Sequence, residues 1–290
     1  MKETTDTPLV FRRRISNVDK QTCWLNSCLQ LILNGLDHTS DSELESQLGR
    51  ELRTAQSVNF VNPTNIKVLL QHEINLNSER LQRQNILTGQ QCARDFFITL
   101  SENKESWLDI YNLFQHTTEQ KLECPYCKRE SKYFSSELYR EMVCPPDGSK
   151  LKNFLQLQLN CVDNVDFLCE DGCHRRGLFK KKLKIVSQES SNFLVVILTR
   201  GLDNYNNKVT VTDNVTIEDN ENKKITFEPI AVVEHEGHIS ESGLSEGHYS
   251  CDAKSCEDGN WYSTSDESLP NLIPKQKVTK YGYIILYKRK

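Results

Sequence analysis

The chain has 290 residues, 37% apolar and 26% charged, with a formal charge of -4 and a pI near 6.0. That is ample for a buried core in one large domain or two small ones, and the charge balance carries no electrostatic footprint for nucleic acid. No apolar run reaches bilayer-crossing length, and no hydrophobic stretch follows Arg12-Arg13-Arg14, so neither a membrane partner nor a secretory leader is expected.

In chain order, Arg12 to Arg14 read as a solvated basic tail. From Cys23 the apolar positions Leu25, Cys28, Leu29, Ile32, Leu33 and Leu36 recur at helical spacing, with Gly35 and Asp37 near a stop. Asn65 to Leu76, Ala93 to Leu100 and Asp109 to Phe114 are expected as further helices. From about residue 117 the pattern turns to short strands: Lys132 to Met142, Leu155 to Leu159, Leu178 to Val186, Phe193 to Leu198, Ile230 to Glu234, His248 to Ala253 and Tyr281 to Tyr287. Asp203 to Lys224 reads as an exposed excursion and Gly237 to Gly247 as a mobile loop. A helical lobe followed by antiparallel strands is an α+β arrangement, with no internal repeat.

Eleven cysteines, an odd number, with no need for covalent staples at this length, are expected as thiols in a reducing compartment, cytoplasm or nucleus. Cys124-Pro125-Tyr126-Cys127 is a C-x2-C knuckle and Cys169 to Cys173 a second, wider pair. Together they offer four thiolates to one structural zinc, with His174 an alternative to Cys173. Cys23, at the first turn of its helix, sits where unpaired N–H groups and the helix dipole lower a thiol pKa, which suits a nucleophile. A histidine is the natural base for it, and by type alone His235, His238 and His248 are equally available.

The run Gln21-Thr22-Cys23-Trp24-Leu25-Asn26-Ser27-Cys28-Leu29-Gln30 resembles the nucleophile box of the ubiquitin-specific proteases, N-x-G-N-T-C-Y-x-N-S-x-L-Q. Gln90-Gln91-Cys92-Ala93-Arg94-Asp95-Phe96-Phe97 is similar to their Q-Q-D-A-x-E-F-L segment. Ala231 to His235 followed by Glu246-Gly247-His248-Tyr249 is similar to their histidine box, and Asn192 to Arg200, Trp261-Tyr262 and Tyr281 to Tyr287 continue the likeness in order.

The resemblance implies one catalytic domain over 1–290 of papain-like fold. Its parts are a helical thumb at about 15–115, zinc-tipped β fingers at about 116–190 and a β-sheet palm at about 191–290. It implies a monomeric thiol protease that cuts the isopeptide bond after the C-terminal glycine of ubiquitin. Cys23 is then the nucleophile and His248 the base, with Ser265 or Asp266 orienting the imidazole, while Gln90, Gln91, Gly247 and Tyr249 line the substrate channel and Cys124, Cys127, Cys169 and Cys173 bind zinc. Ser265 holds the orienting position by alignment, whereas Asp266 is the stronger acceptor. The pattern departs at the oxyanion donor: Val18 stands where the family has Asn and Lys20 where it has Gly, leaving Asn17 as donor if the loop holds one extra residue. Rival readings are an isopeptidase for another modifier, such as SUMO or the interferon-induced tandem modifier, a catalytically silent ubiquitin-binding module, and a zinc-knuckle interaction protein.

Overall fold

A computed structural model of the chain describes residues 13–17, 20–39, 44–77, 86–87, 91–159, 162–201, 203–211, 213–239, 245–274, 278–279 and 281–290. The helical part begins after a two-residue strand, Arg14–Ile15 (β1), with Cys23–Asp37 (α1), then Gln47–Gln56 (α2), Phe60–Val61 (β2), Thr64–Asn77 (α3), Ala93–Glu102 (α4) and Leu108–Phe114 (α5). α1 is apolar on nearly every side and, Gln30 apart, buried from Cys23 to Leu36, the signature of a helix at the centre of a core. Gly35 lets it approach the sheet: a Cβ there would lie 3.2 Å from Leu286 Cδ2 and 3.3 Å from the Phe114 ring. α2 was not foreseen. Its Leu48, Leu52 and Ala55 face inward, and Ser46 Oγ caps it by accepting Gly49 N–H at 2.9 Å.

The next strands are His116–Glu123 (β3), Glu130–Glu137 (β4), Arg140–Val143 (β5) and Ser149–Lys150 (β6). They are followed by Leu151–Leu159 (α6), Val162–Leu168 (β7), Arg176–Ile185 (β8) and Phe193–Thr199 (β9). β3, β4, β7 and β8 form an antiparallel sheet in the order β4-β3-β8-β7, whose small core is Leu122, Phe179, Cys124 and Cys169. Leu155 to Leu159 is thus helix, not strand: Leu151, Leu155 and Leu159 lie one turn apart and pack together on the sheet formed by the last strands. The stretch expected as one strand over Lys132 to Met142 splits between two sheets at Leu138-Tyr139.

Val209–Thr210 (β10), Val215–Glu218 (β11), Lys224–Ile239 (β12), Ser245–Lys254 (β13), Trp261–Thr264 (β14), Asn271–Ile273 (β15), Val278–Thr279 (β16) and Gly282–Arg289 (β17) complete the chain. The large sheet runs β15-β14-β13-β12-β17-β9-β5, with β11 also on β12. Its strands alternate with period two. Val195, Ile197, Ile284, Leu286, Val233 and Cys251 face α1, whereas Leu194, Val196, Leu198, Ile285 and Tyr287 join α6 on the other side. Coverage on both faces is why β9 reads Phe-Leu-Val-Val-Ile-Leu without a polar break.

Three expectations change here. Asp203 to Lys224 is not an exposed excursion, because Val209, Val211, Val215 and Ile217 are buried. Of the expected loop from Gly237 to Gly247, residues 237–239 and 245–247 are paired strand, with register Gly237↔Gly247 and Ile239↔Ser245, and 240–244 lie outside the described residues. Arg13 is no solvated tail: its guanidinium pairs with Asp37 at the end of α1, side chains 4% and 7% exposed, and Gln56 donates to the same carboxylate at 2.9 Å. Removing one member of a buried pair strands the other charge, so Arg13→Ala is expected to destabilise the fold by about 3–5 kcal/mol in urea unfolding. Arg13→Met combined with Asp37→Leu is expected to stay nearer the parent.

Candidate active site

Thr22 opens α1 without a side-chain cap: its carbonyl accepts the N–H groups of Leu25 and Asn26 at 3.0 Å, and its own N–H goes to Asn17 Oδ1 at 2.9 Å. Cys23 follows as the first helical residue, and the backbone N–H groups of Tyr249, Trp24 and Cys23 itself favour a negative charge on its sulfur. Tyr249 belongs to β13 and comes directly after His248, so the start of the chain meets the strand that carries the imidazole. His248 Nε2 lies 2.6 Å from Ser265 Oγ, just past β14. With Nε2 engaged, Nδ1 is the nitrogen left to take a proton.

Asp266 turns away from that ring. Its backbone is left-handed, φ +45°, and its carboxylate accepts from Asn26 Nδ2 at 2.7 Å and Asn17 Nδ2 at 2.8 Å. Burial pushes the Cys23 thiol up, the Tyr249 N–H pulls it down in part, Asp266 pushes it up further, and the N–H groups of Trp24 and Cys23 pull it down. The depression expected of a helix N-terminus is therefore overruled by desolvation, since Cys23 is only 3% exposed. Beside Asp266 opens a cleft of about 410 Å³ lined by Asn17, Lys20, Asp266, Glu267 and Ser268. Lys20, at the pattern's glycine position, adopts a left-handed backbone there, φ +56°.

The four knuckle cysteines converge at the far end of the β4-β3-β8-β7 sheet, all sulfurs within 4.8 Å of one another, an arrangement that could hold a metal ion. Cys124 and Cys173 sulfurs are 3.7 Å apart, as are those of Cys127 and Cys169. Each knuckle closes on a left-handed residue, Lys128 at φ +62° and His174 at φ +54°, with N–H bonds to the carbonyls of Cys124 and Cys169. His174 is thus a turn residue and Cys173 supplies the fourth sulfur. Gly172 absorbs the extra residue of the second pair, since a Cβ there would lie 2.8 Å from Cys169 Sγ.

The family model described as ubiquitin carboxyl-terminal hydrolase matches residues 14–287. The chain belongs to that family. Among curated relatives, ubiquitin carboxyl-terminal hydrolase 15 of Homo sapiens and of Rattus norvegicus are each 38% identical over 60 residues, 21% of this chain and 6% of the relative. The chain therefore aligns with a small part of those proteins. Among solved structures, the SAGA Ubp8/Sgf11/Sus1/Sgf73 DUB module bound to ubiquitin aldehyde superposes with TM-score 0.66 at 18% identity, covering 99% of this chain and 72% of that one. The same module bound to monoubiquitin gives TM-score 0.64 at 18% identity, covering 100% and 72%. The fold of this family member is thus the α+β deubiquitinase fold.

Several residues expected at this family's site take other places. Asn17 braces the loop before α1, its Oδ1 accepting from Thr22 N–H and its Nδ2 donating one of its two hydrogens to Asp266. Tyr249 contributes its backbone to Cys23 while its ring is buried between His235 and Tyr283, with centroids 4.3 Å and 6.2 Å away. Gly247 is required by packing: a Cβ would meet Glu236 O at 2.4 Å and His235 Nε2 at 2.8 Å. Gln91 is half-buried next to Cys92, whose sulfur is 2.9 Å from Tyr283 Oη; Gln90 lies outside the described residues, as do Val18 and Asp19. The expectation missed Asn26, although it lies inside the nucleophile box, because a buried amide only declares a task once its carboxylate partner is in place.

Asp266→Asn removes a negative charge that disfavours the thiolate. The alkylation rate of Cys23 by iodoacetamide at pH 8 is accordingly expected to rise roughly two- to fivefold, with its pH midpoint moving down.

Proposed function

We propose that this chain is a cysteine deubiquitinase that hydrolyses the isopeptide bond after the C-terminal glycine of ubiquitin. The observation that carries the proposal is the 2.6 Å hydrogen bond between His248 Nε2 and Ser265 Oγ, with His248 on a strand whose next residue, Tyr249, brings its backbone to the Cys23 sulfur. His248 Nδ1 takes the thiol proton as the sulfur attacks the glycine carbonyl. The bond to the lysine nitrogen breaks as the imidazolium returns its proton to that nitrogen, leaving a thioester that water hydrolyses with His248 as base. A burial-raised thiol makes this proton transfer obligatory, because little thiolate exists before the imidazole acts. Ser265 fixes the ring but stabilises an imidazolium less than a carboxylate does.

Ubiquitin as partner is supported by its presence in the superposed SAGA modules. The expected test is a covalent adduct between Cys23 and a ubiquitin probe carrying a C-terminal propargylamide, seen by intact mass, absent in Cys23→Ala and slower in His248→Ala. Parallel SUMO and tandem-modifier probes read the choice of modifier. Tight ubiquitin binding without an adduct from any probe would instead establish the silent module, a reading favoured by Ser265 at the third position.

For the cysteine tetrad we propose one structural zinc held by Cys124, Cys127, Cys169 and Cys173. Tetrahedral zinc with bonds of about 2.3 Å separates its sulfurs by roughly 3.8 Å, close to the two 3.7 Å separations observed. Four protein ligands leave no position for substrate, so the metal would join the finger tips and nothing more. Equimolar zinc is expected by elemental analysis, falling in Cys124→Ser together with loss of finger structure; a folded, zinc-free parent would remove the assignment. Thiols that stay reduced fit a cytoplasmic or nuclear protein.

A further inference from the structure

The strand that carries the imidazole's partner is supported on one side only. β12 pairs with β17 as far as Glu234↔Gly282, and beyond that point β13 continues on one edge while β17 has left the other. A freed edge needs acceptors for its N–H groups. His235 N–H reaches Tyr281 O at 2.9 Å, and the Tyr205 hydroxyl comes up to the freed edge at the same residue. The same hydroxyl lies 3.1 Å from His235 Nδ1 and 3.5 Å from His235 O. Tyr205 and His235 are both buried, and neither takes part in the chemistry described above.

Tyr205 sits on a loop built to hold it still. Arg200 Nη1 donates to the carbonyls of Tyr205 at 2.9 Å, Asn207 at 3.0 Å and Asn204 at 3.4 Å, while its Nε donates to Gly282 O at 2.9 Å, on the strand that leaves β12. On the other side the His235 ring lies against the Tyr249 ring and directly beneath Gly247, the two residues that flank His248. A continuous set of contacts therefore runs from Arg200 through Tyr205 and His235 to the backbone on either side of the base.

We propose that Tyr205 and His235 are positioning residues, through which the Arg200-pinned loop sets the height of the β12–β13 arm and so of His248 against the Cys23 sulfur. The ring used for this support has to remain uncharged beside an imidazole that becomes cationic in turnover. His235 meets that requirement: burial, and then the neighbouring His248, push it down to about 4.

This inference rests on the proposed isopeptidase reading, and its test has one arm that does not. With a ubiquitin C-terminal fluorogenic amide, Tyr205→Phe keeps the ring and deletes the hydroxyl; kcat is expected to fall roughly tenfold with KM within about twofold. His235→Phe is expected to match it, and the double variant to be no slower than either single one. In parallel, ¹⁵N spectra of the histidine rings of Tyr205→Phe are expected to show displaced His235 and His248 resonances, with His72 and His38 unmoved. Unchanged kcat, a defect confined to KM, additive losses or an unmoved His248 would each overturn the proposal. If the parent turns over no substrate, the spectra alone decide it: a displaced His248 upholds the positioning link while the isopeptidase reading falls.

Discussion

The approach of the Tyr249 backbone to the Cys23 sulfur is the constraint around which the rest of the molecule is arranged. It requires the first turn of α1 to press on β13, two elements more than 200 residues apart in the chain. That contact is secured along the whole of α1. Asn34 Nδ2 donates to Ile230 O at 2.9 Å, Gly35 brings the helix against Leu286, and Arg13 grips Asp37 at its end. Cys23 sits at the start of a largely buried helix and cannot shift without disturbing the core, which is how close packing confers precision on a site.

The same burial that fixes the sulfur also raises its proton affinity, and the local carboxylate adds to the effect. Asp266 is placed where two amides, Asn17 and Asn26, satisfy it, and its task is to tie the loop before α1 to the end of the palm sheet. Ser265 is left to orient His248. Two adjacent polar residues thus divide the work, one facing the imidazole and the other facing α1, because the chain turns through a left-handed backbone at Asp266 just past β14.

Much of this was legible in the sequence where a residue's task is local. The helical spacing after Cys23, the alternation of the palm strands and the knuckle spacing each depend on near neighbours, and each has its counterpart in the fold. Leu155 to Leu159 misled because a short apolar run has no period of its own; Leu151 and the sheet beneath it decide for helix. The polar stretch from Asp203 to Lys224 hid Val209, Val215 and Ile217, whose burial depends on β12 and α6 covering them. At the site, the motif pointed to Cys23 and His248, but not to the desolvation of the thiol or the commitment of the Asn17 amide, because both are properties of surroundings assembled from distant segments.

The fingers are a separate problem in stability, a thin sheet whose core of Leu122, Phe179 and two cysteines is too small to fix the tip by itself. Four sulfurs stand at that tip within 4.8 Å of one another, close enough to hold a metal ion. The most direct test of the account is a crystal structure of the protein joined covalently through Cys23 to a ubiquitin probe. The account requires His248 Nδ1 within hydrogen-bonding reach of the adduct sulfur, about 3.5 Å, with Ser265 still on Nε2. An adduct sulfur remote from His248, or an imidazole oriented by another group, would contradict it.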